Sequence, residues 1–231
     1  QKNEKIATML AKDLEKYFGL APTEIPISPR YNIAPSQAVL AVTRLKQLSL
    51  LEWGLIPSWS QGPNILNPLI NARAETIQEK PSFKRALKNG RCLIPTSGFY
   101  EWKRSGKSKS PYFIFLSSRK LFCFAGIWEE WSGSNGSMIH SFTIITTSAN
   151  QSINGIHHRM PVILEKSDED RWLDHSLGVN QVVDLLAPYP GKKMDYYRVS
   201  DRVNSARVDN KDCIKRIKTS DRTREKSQIS F

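Results

Sequence analysis

Between residues 3 and 18, Ile6, Leu10, Leu14 and Phe18 recur every four positions, with Met9 and Tyr17 beside them. Charges fill the other face and Gly19 follows, a period that predicts one amphipathic helix. Residues 21–35 carry four prolines and read as an extended connection within a domain. The pattern then shortens to strand length. Residues 38–45 and 48–55 predict two strands joined by Lys46-Gln47, a hairpin without the usual turn residues. A second helix is predicted over 81–89, opened by Pro81 and closed by Gly90. Strands follow at 92–95, 98–103, 112–116, 121–131 and 138–147, separated by Ser105-Gly106-Lys107 and a Ser/Gly/Asn run at 132–137. Further on come a short strand at 162–164, a helix capped by Ser167 and ending at His175, a short helix over 179–186 and a last strand over 194–200. Strands this regular argue for a curved sheet or partial barrel. No repeat breaks the chain, so residues 1–210 read as one domain and 211–231, polar and basic, as a loosely ordered tail.

Composition narrows the setting. At 231 residues, 39% hydrophobic and 24% charged, the chain is ordinary for a globular protein. No apolar run approaches a membrane span and no signal peptide opens it, so a cytoplasmic protein is expected, nucleoid-associated if bacterial. The balance is basic, 34 Lys and Arg against 22 Asp and Glu, for a formal charge of +12. A polyanionic partner suits that charge. Three cysteines without a CxxC pair argue against a disulfide framework and for a reducing compartment. Cys92 and Cys123, in apolar runs, read as inert core residues.

Candidate chemistry begins at Gly98-Phe99-Tyr100-Glu101-Trp102, where one carboxylate sits among three aromatics. Burial there would raise its pKa above a reference of about 4.3 and suit it to general acid and base work. The plainer alternative is an outward-facing Glu101 with Tyr100 and Trp102 facing in. Other polar residues interrupt apolar patterns at Asn71, Arg73, Thr147, His157 and Arg159. No metal is expected: the adjacent pair His157-His158 should diverge on a strand. No Gly-x-Ser-x-Gly elbow supports a serine triad, and no organic cofactor is implied.

Read in order, certain segments carry a resemblance to a known family. They are Tyr31-Asn32-Ile33-Ala34-Pro35, Trp53-Gly54-Leu55-Ile56-Pro57, Asn71-Ala72-Arg73-Ala74-Glu75, Gly98-Phe99-Tyr100-Glu101-Trp102, Thr146-Thr147-Ser148-Ala149-Asn150, His157-His158-Arg159-Met160-Pro161 and Val203-Asn204. From about residue 31 to 205 the chain resembles the SOS-response-associated peptidase (SRAP) family. The resemblance implies an α+β single domain with a curved, barrel-like, mainly antiparallel sheet flanked by short helices, beside a basic groove for single-stranded DNA. It also implies a monomer that senses and shields abasic sites, with no membrane partner. In such proteins an amino-terminal cysteine, exposed by autocatalytic removal of methionine, forms a thiazolidine with the sugar aldehyde. Carried over by position, Asn71, Glu101 and His157 match the catalytic groups. Arg73, Thr147 and Arg159 match phosphate contacts, and Pro35 and Trp53 match groups beside the distorted strand.

One departure stands out. The family begins Met-Cys-Gly-Arg, whereas this chain opens Gln1-Lys2-Asn3-Glu4, and Cys92, Cys123 and Cys213 have no free α-amine. Since Asn71, Glu101 and His157 are all present, the expectation is a short segment, bearing the cysteine, ahead of Gln1. The alternative is a noncovalent single-stranded DNA-binding module that lacks the nucleophile. A peptidase acting on other proteins is less well supported, because no peptide-binding motif is visible.

Overall fold

Strand-length alternation gives this chain sheets whose two faces both find a core. The computed structural model describes residues 5–7, 11–20, 28–44, 46–62 and 68–217. Its elements run β1 (Lys5–Ala7), α1 (Ala11–Phe18), β2 (Ala38–Val42), β3 (Leu48–Trp53), β4 (Asn71–Arg73), α2 (Pro81–Asn89), β5 (Arg91–Thr96) and β6 (Gly98–Ser105). They continue β7 (Ser108–Leu116), β8 (Phe122–Ser132), β9 (Met138–Ser148), β10 (Arg159–Pro161), β11 (Ile163–Leu164), α3 (Glu169–Leu173) and β12 (Met194–Arg198).

Strands β9, β3, β2, β5 and β8 pair in that order, and β8 returns to β9, closing a five-strand barrel. The β3–β9 and β4–β9 pairings are parallel and the rest of the ring is antiparallel. A second sheet, ordered β1-β6-β7-β12, is antiparallel throughout. The fold is α+β, one domain with a barrel-like sheet and few short helices, as the strand spacing and the resemblance led us to expect.

Alternate residues of the barrel strands serve two cores. Ile94, Phe124, Phe142 and Ile144 pack with Phe99 and Ile114 of the second sheet. Leu93, Ala125, Ile127 and Ile145 pack instead with α2 and α3, through Phe83, Leu87 and Trp172. Each fully buried Phe or Ile stabilises by about 1.5–3 kcal/mol. At the start of β6, a Cβ on Gly98 would come within 2.2 Å of the Phe113 ring and 2.7 Å of the Ile114 carbonyl oxygen. Glycine alone lets β6 begin this close to β7.

Some expected elements differ. Within the predicted helix over 3–18, the described residues form a strand, Lys5–Ala7, and a shorter helix, Ala11–Phe18. Ile6 pairs with Phe99 in β6 and exchanges backbone hydrogen bonds of 3.1 and 2.9 Å with Ile33, so sheet pairing overrides the helical period. Leu10 and Met9 lie outside the described residues. The hairpin between β2 and β3 closes without glycine because Lys46 adopts a positive φ of 52°. Ser167 caps no helix: a 3-10 turn at Lys166–Asp168 leads directly into α3. Residues 179–186 form two 3-10 turns, Val179–Gln181 and Val183–Leu185. Of the segment read as a tail, 211–217 is described, with Cys213 buried in the turn Lys211–Ile214. Residues 218–231 lie outside the described residues.

Candidate functional site

The two faces of β6 have separate tasks. Tyr100 and Trp102 turn one way, packing with Val199, Val203 and Cys213, while Phe99 joins the core on the barrel side. Tyr100 donates its hydroxyl to the Tyr31 carbonyl at 2.6 Å, and Trp102 Nε1 donates to Asn204 Oδ1 at 2.7 Å. Burial pushes the Tyr100 phenol up from its ordinary pKa. Behind them Asn32, wholly buried, points its Nδ2 at the carbonyls of Val208, Ser205 and Val203, at 2.7, 2.9 and 3.3 Å. The motifs at 31–35, 98–102 and 203–204 thus meet in one polar cluster on the back of β6.

Glu101 lies on the front. The alternation was as expected, but the face opposite Tyr100 and Trp102 is not solvent. Glu101 is only 7% exposed. It lines a cavity of about 20 Å³ together with Lys5, Ile6, Trp53, Thr146 and Arg159. That is room for about one water. The first described strand therefore borders the same cavity as the buried carboxylate. Lys5 itself sends its ammonium to the Val203 carbonyl, and burial lowers its pKa from the usual lysine value.

His157 sits in the bend before β10. Its Nδ1 is 3.5 Å from Glu101 Oε1, an ion-pair distance too long for a hydrogen bond. The same nitrogen lies 3.0 Å from the Arg159 carbonyl oxygen and 3.3 Å from the Arg159 amide nitrogen. A protonated Nδ1 donates to the carbonyl; an unprotonated one accepts from the N–H. Either way the main chain of Arg159 fixes the ring. Burial holds the His157 pKa below its ordinary value, and the charges of His158, Arg104 and Arg159 act the same way against the Arg159 carbonyl. The rings of His157 and His158 do not diverge, as neighbours on a strand would; their centroids are 4.5 Å apart.

The remaining predicted residues are distributed around this centre. Asn71, half-buried on β4, lies opposite Ile144 of β9. It follows Ile70, whose carbonyl accepts Trp53 Nε1 at 2.9 Å. Trp53 is wholly buried, so here it walls the cavity. Pro35 precedes Ser36, whose N–H donates to the Trp53 carbonyl at 2.8 Å. Arg159 borders the cavity and forms a bidentate pair with Glu75, whereas Arg73 is exposed. Thr147 is buried at 5% exposure on the strand face away from the cavity; its neighbour Thr146 lines the cavity instead.

Three candidates went unread in the sequence. Thr146 could have been found by period, since it shares a strand face with Ile144. Glu75 lies inside a quoted motif. Trp59, 64% exposed, offers an open aromatic face that the buried Trp53 does not. Among the described residues no helix is long and apolar enough to cross a membrane.

Comparison with known proteins agrees with the family resemblance. The family described as SOS response associated peptidase (SRAP) matches residues 4–206. The abasic site processing protein YoaM of Bacillus subtilis (strain 168) is 44% identical over 198 residues, 84% of this chain and 86% of that protein. The abasic site processing protein YedK of Escherichia coli (strain K12) is 29% identical over 212 residues, 90% of this chain and 92% of its own length. A crystal structure of a protein from Bacteroides thetaiotaomicron superposes with a TM-score of 0.72 at 32% identity, covering 79% of this chain and 82% of that one.

Proposed function

This chain belongs to the SOS response associated peptidase family, and from that premise we propose that it processes abasic sites in DNA by capturing the sugar aldehyde covalently. The observation that carries the reading is the buried Glu101 in a cavity shared with Lys5 and Ile6 of β1, with His157 Nδ1 at 3.5 Å. An amino-terminal cysteine ahead of β1 would precede a strand that lines this cavity.

The proposed reaction needs no oxidant. Water first hydrolyses the Met–Cys peptide bond, with Glu101 moving the proton. The freed α-amine, with a reference pKa near 7.7–8.0 against about 10.4 for lysine, is a competent nucleophile at neutral pH. It adds to the open-chain aldehyde, and loss of one water gives an imine. The cysteine thiol then adds across the C=N bond, forming a C–S bond and leaving its proton on nitrogen. Covalent tethering of the thiol gives that closure a high effective concentration. His157 serves sugar ring opening and reversal, and Asn71 positions the cysteine main chain.

The strand is held by phosphate contacts and stacking. Arg73, Arg159 and the +12 charge supply the first, and the exposed face of Trp59 suits the second. Single-stranded DNA is therefore the proposed partner, bound by a monomer.

The test is a chain carrying Met-Cys-Gly-Arg at its amino terminus, incubated with abasic single-stranded DNA. A heat-stable adduct is expected, and Glu101→Gln should slow methionine removal and adduct formation by about 10²–10⁴. Binding without an adduct would leave a noncovalent reader of single strands and overturn the covalent reading.

A further inference from the structure

Glu75 has no task in the reaction above, yet its contacts are specific. It follows β4 in the 3-10 turn Ala74–Thr76 and reaches Arg159 at the head of β10. Arg159 Nη1 donates to Glu75 Oε1 at 2.7 Å and Nη2 to Oε2 at 2.9 Å, a fork-on-fork pair. The same Nη2 donates to the Thr146 carbonyl at 2.7 Å, which ties the guanidinium to the cavity wall. The hydrogen bonds from Arg159 hold the Glu75 carboxyl below the usual range, and the charges of Arg159 and Arg73 add to that. One carboxylate thus sits within the field of both arginines assigned to phosphate.

A carboxylate and a phosphodiester make the same demand on a guanidinium, two oxygens against two parallel N–H groups. We propose that Glu75 is an internal stand-in for a DNA phosphate, holding Arg159 in its receiving pose until the strand exchanges one anion for the other. The inference rests on the reading that Arg159 meets single-stranded DNA. It makes Glu75 a positioning residue that acts through Arg159. Displacement is easy to accommodate, because 46% of the Glu75 side chain already faces solvent. The exchange also bears on His157, whose Nδ1 is held by the Arg159 main chain.

Exchange has a signature in salt dependence. While Glu75 neutralises Arg159, binding gains little net charge from that arginine. Glu75→Gln keeps the shape and frees the charge. Binding of an undamaged single-stranded oligonucleotide is followed by fluorescence anisotropy over a range of salt, with thermal melting to confirm that each variant is folded. Glu75→Gln should bind roughly three- to tenfold more tightly at low salt, and the slope of log K against log salt should steepen by about 0.7, the value of one added contact on a single strand. Glu75→Ala is the second variant and carries the same expectation. Glu79→Gln, an exposed carboxylate in the same segment, controls for net charge and should leave the slope alone.

Parental or weaker binding by the Glu75 variants would overturn the inference, as would an equal steepening in Glu79→Gln. If Arg159→Gln binds with parental affinity and slope, the underlying reading of Arg159 fails instead, so the two failures are told apart.

Discussion

Asn32→Ala tests whether the polar cluster behind Glu101 holds the last third of the fold in place. The Asn32 side chain is 0% exposed, and its two Nδ2 hydrogens face three carbonyls. Removing them is not equally costly at each. Val203 O keeps the Lys5 ammonium, and Ser205 O keeps the Val208 N–H at 3.2 Å. Among the described residues, Val208 O is left with only the Cys213 thiol at 3.5 Å, a weak donor. One nearly orphaned carbonyl at about 1–3 kcal/mol, plus about 1 kcal/mol for the second lost bond, gives a loss of roughly 2–4 kcal/mol. Asn32 Oδ1 has no partner among the described residues, so its removal offsets part of this and favours the lower half of the range. Against a typical total of about 5–15 kcal/mol the effect is large. Urea unfolding followed by tryptophan fluorescence measures it. The midpoint should fall by about 1 M if m is about 2–3 kcal/mol/M. A loss under about 0.5 kcal/mol would refute the reasoning, because it would mean the carbonyls find water without help.

Three further outcomes follow from the charges. Arg73→Glu should weaken single-stranded DNA binding across sequences at little cost in stability, since Arg73 is exposed; unchanged affinity at moderate salt would remove it from the interface. Arg159→Gln should weaken binding and also destabilise, because its hydrogen bonds to Glu75 and Thr146 are lost with it. His157, by NMR titration, should show a pKa below its ordinary value of 6.5. Folded His157 then holds its proton less readily than the unfolded chain does. Its contribution to stability is accordingly full above pH 6.5 and is lost as pH falls through that value toward the lower folded pKa. The stability difference between the parent and His157→Gln should shift in that acid window; a measured pKa at or above 6.5 would contradict the assignment.

Much of the architecture was legible because strand period is local information. The strands from 92 to 147 and the helix at 81–89 emerged within a few residues of their observed bounds. Legibility stopped where long-range pairing decides. Whether Glu101 faces water or a cavity depends on what covers that face of β6, and the cover comes from Trp53, Thr146 and Arg159, remote in sequence. The same limit applies to Trp53 and Trp59. Both stand in one aromatic stretch, yet one is wholly buried and the other 64% exposed. Motif resemblance pointed to Trp53, Glu101 and Arg159, which border one cavity, but at Thr146 and Thr147 it did not tell which side of the strand looks inward.

The misread amino-terminal helix is the most instructive case for function. Ile6, Leu10, Leu14 and Phe18 satisfy a helical period, and nothing local contradicts it. What contradicts it is the availability of two unpaired edges, Ile33 on one side and β6 on the other, each able to take backbone hydrogen bonds from Ile6 and its neighbours. A helix over 3–18 would leave those donors and acceptors on β6 to find other partners, at a cost of about 1–3 kcal/mol for each buried group left without one. The strand solution satisfies them and has a geometric consequence. A helix standing on the sheet would carry Lys5 and Ile6 away from β6, whereas β1 lies directly beside Tyr100 and Phe99 and lines the Glu101 cavity. The pairing that defeats the sequence pattern is therefore the one that brings Lys5 and Ile6 to the Glu101 cavity.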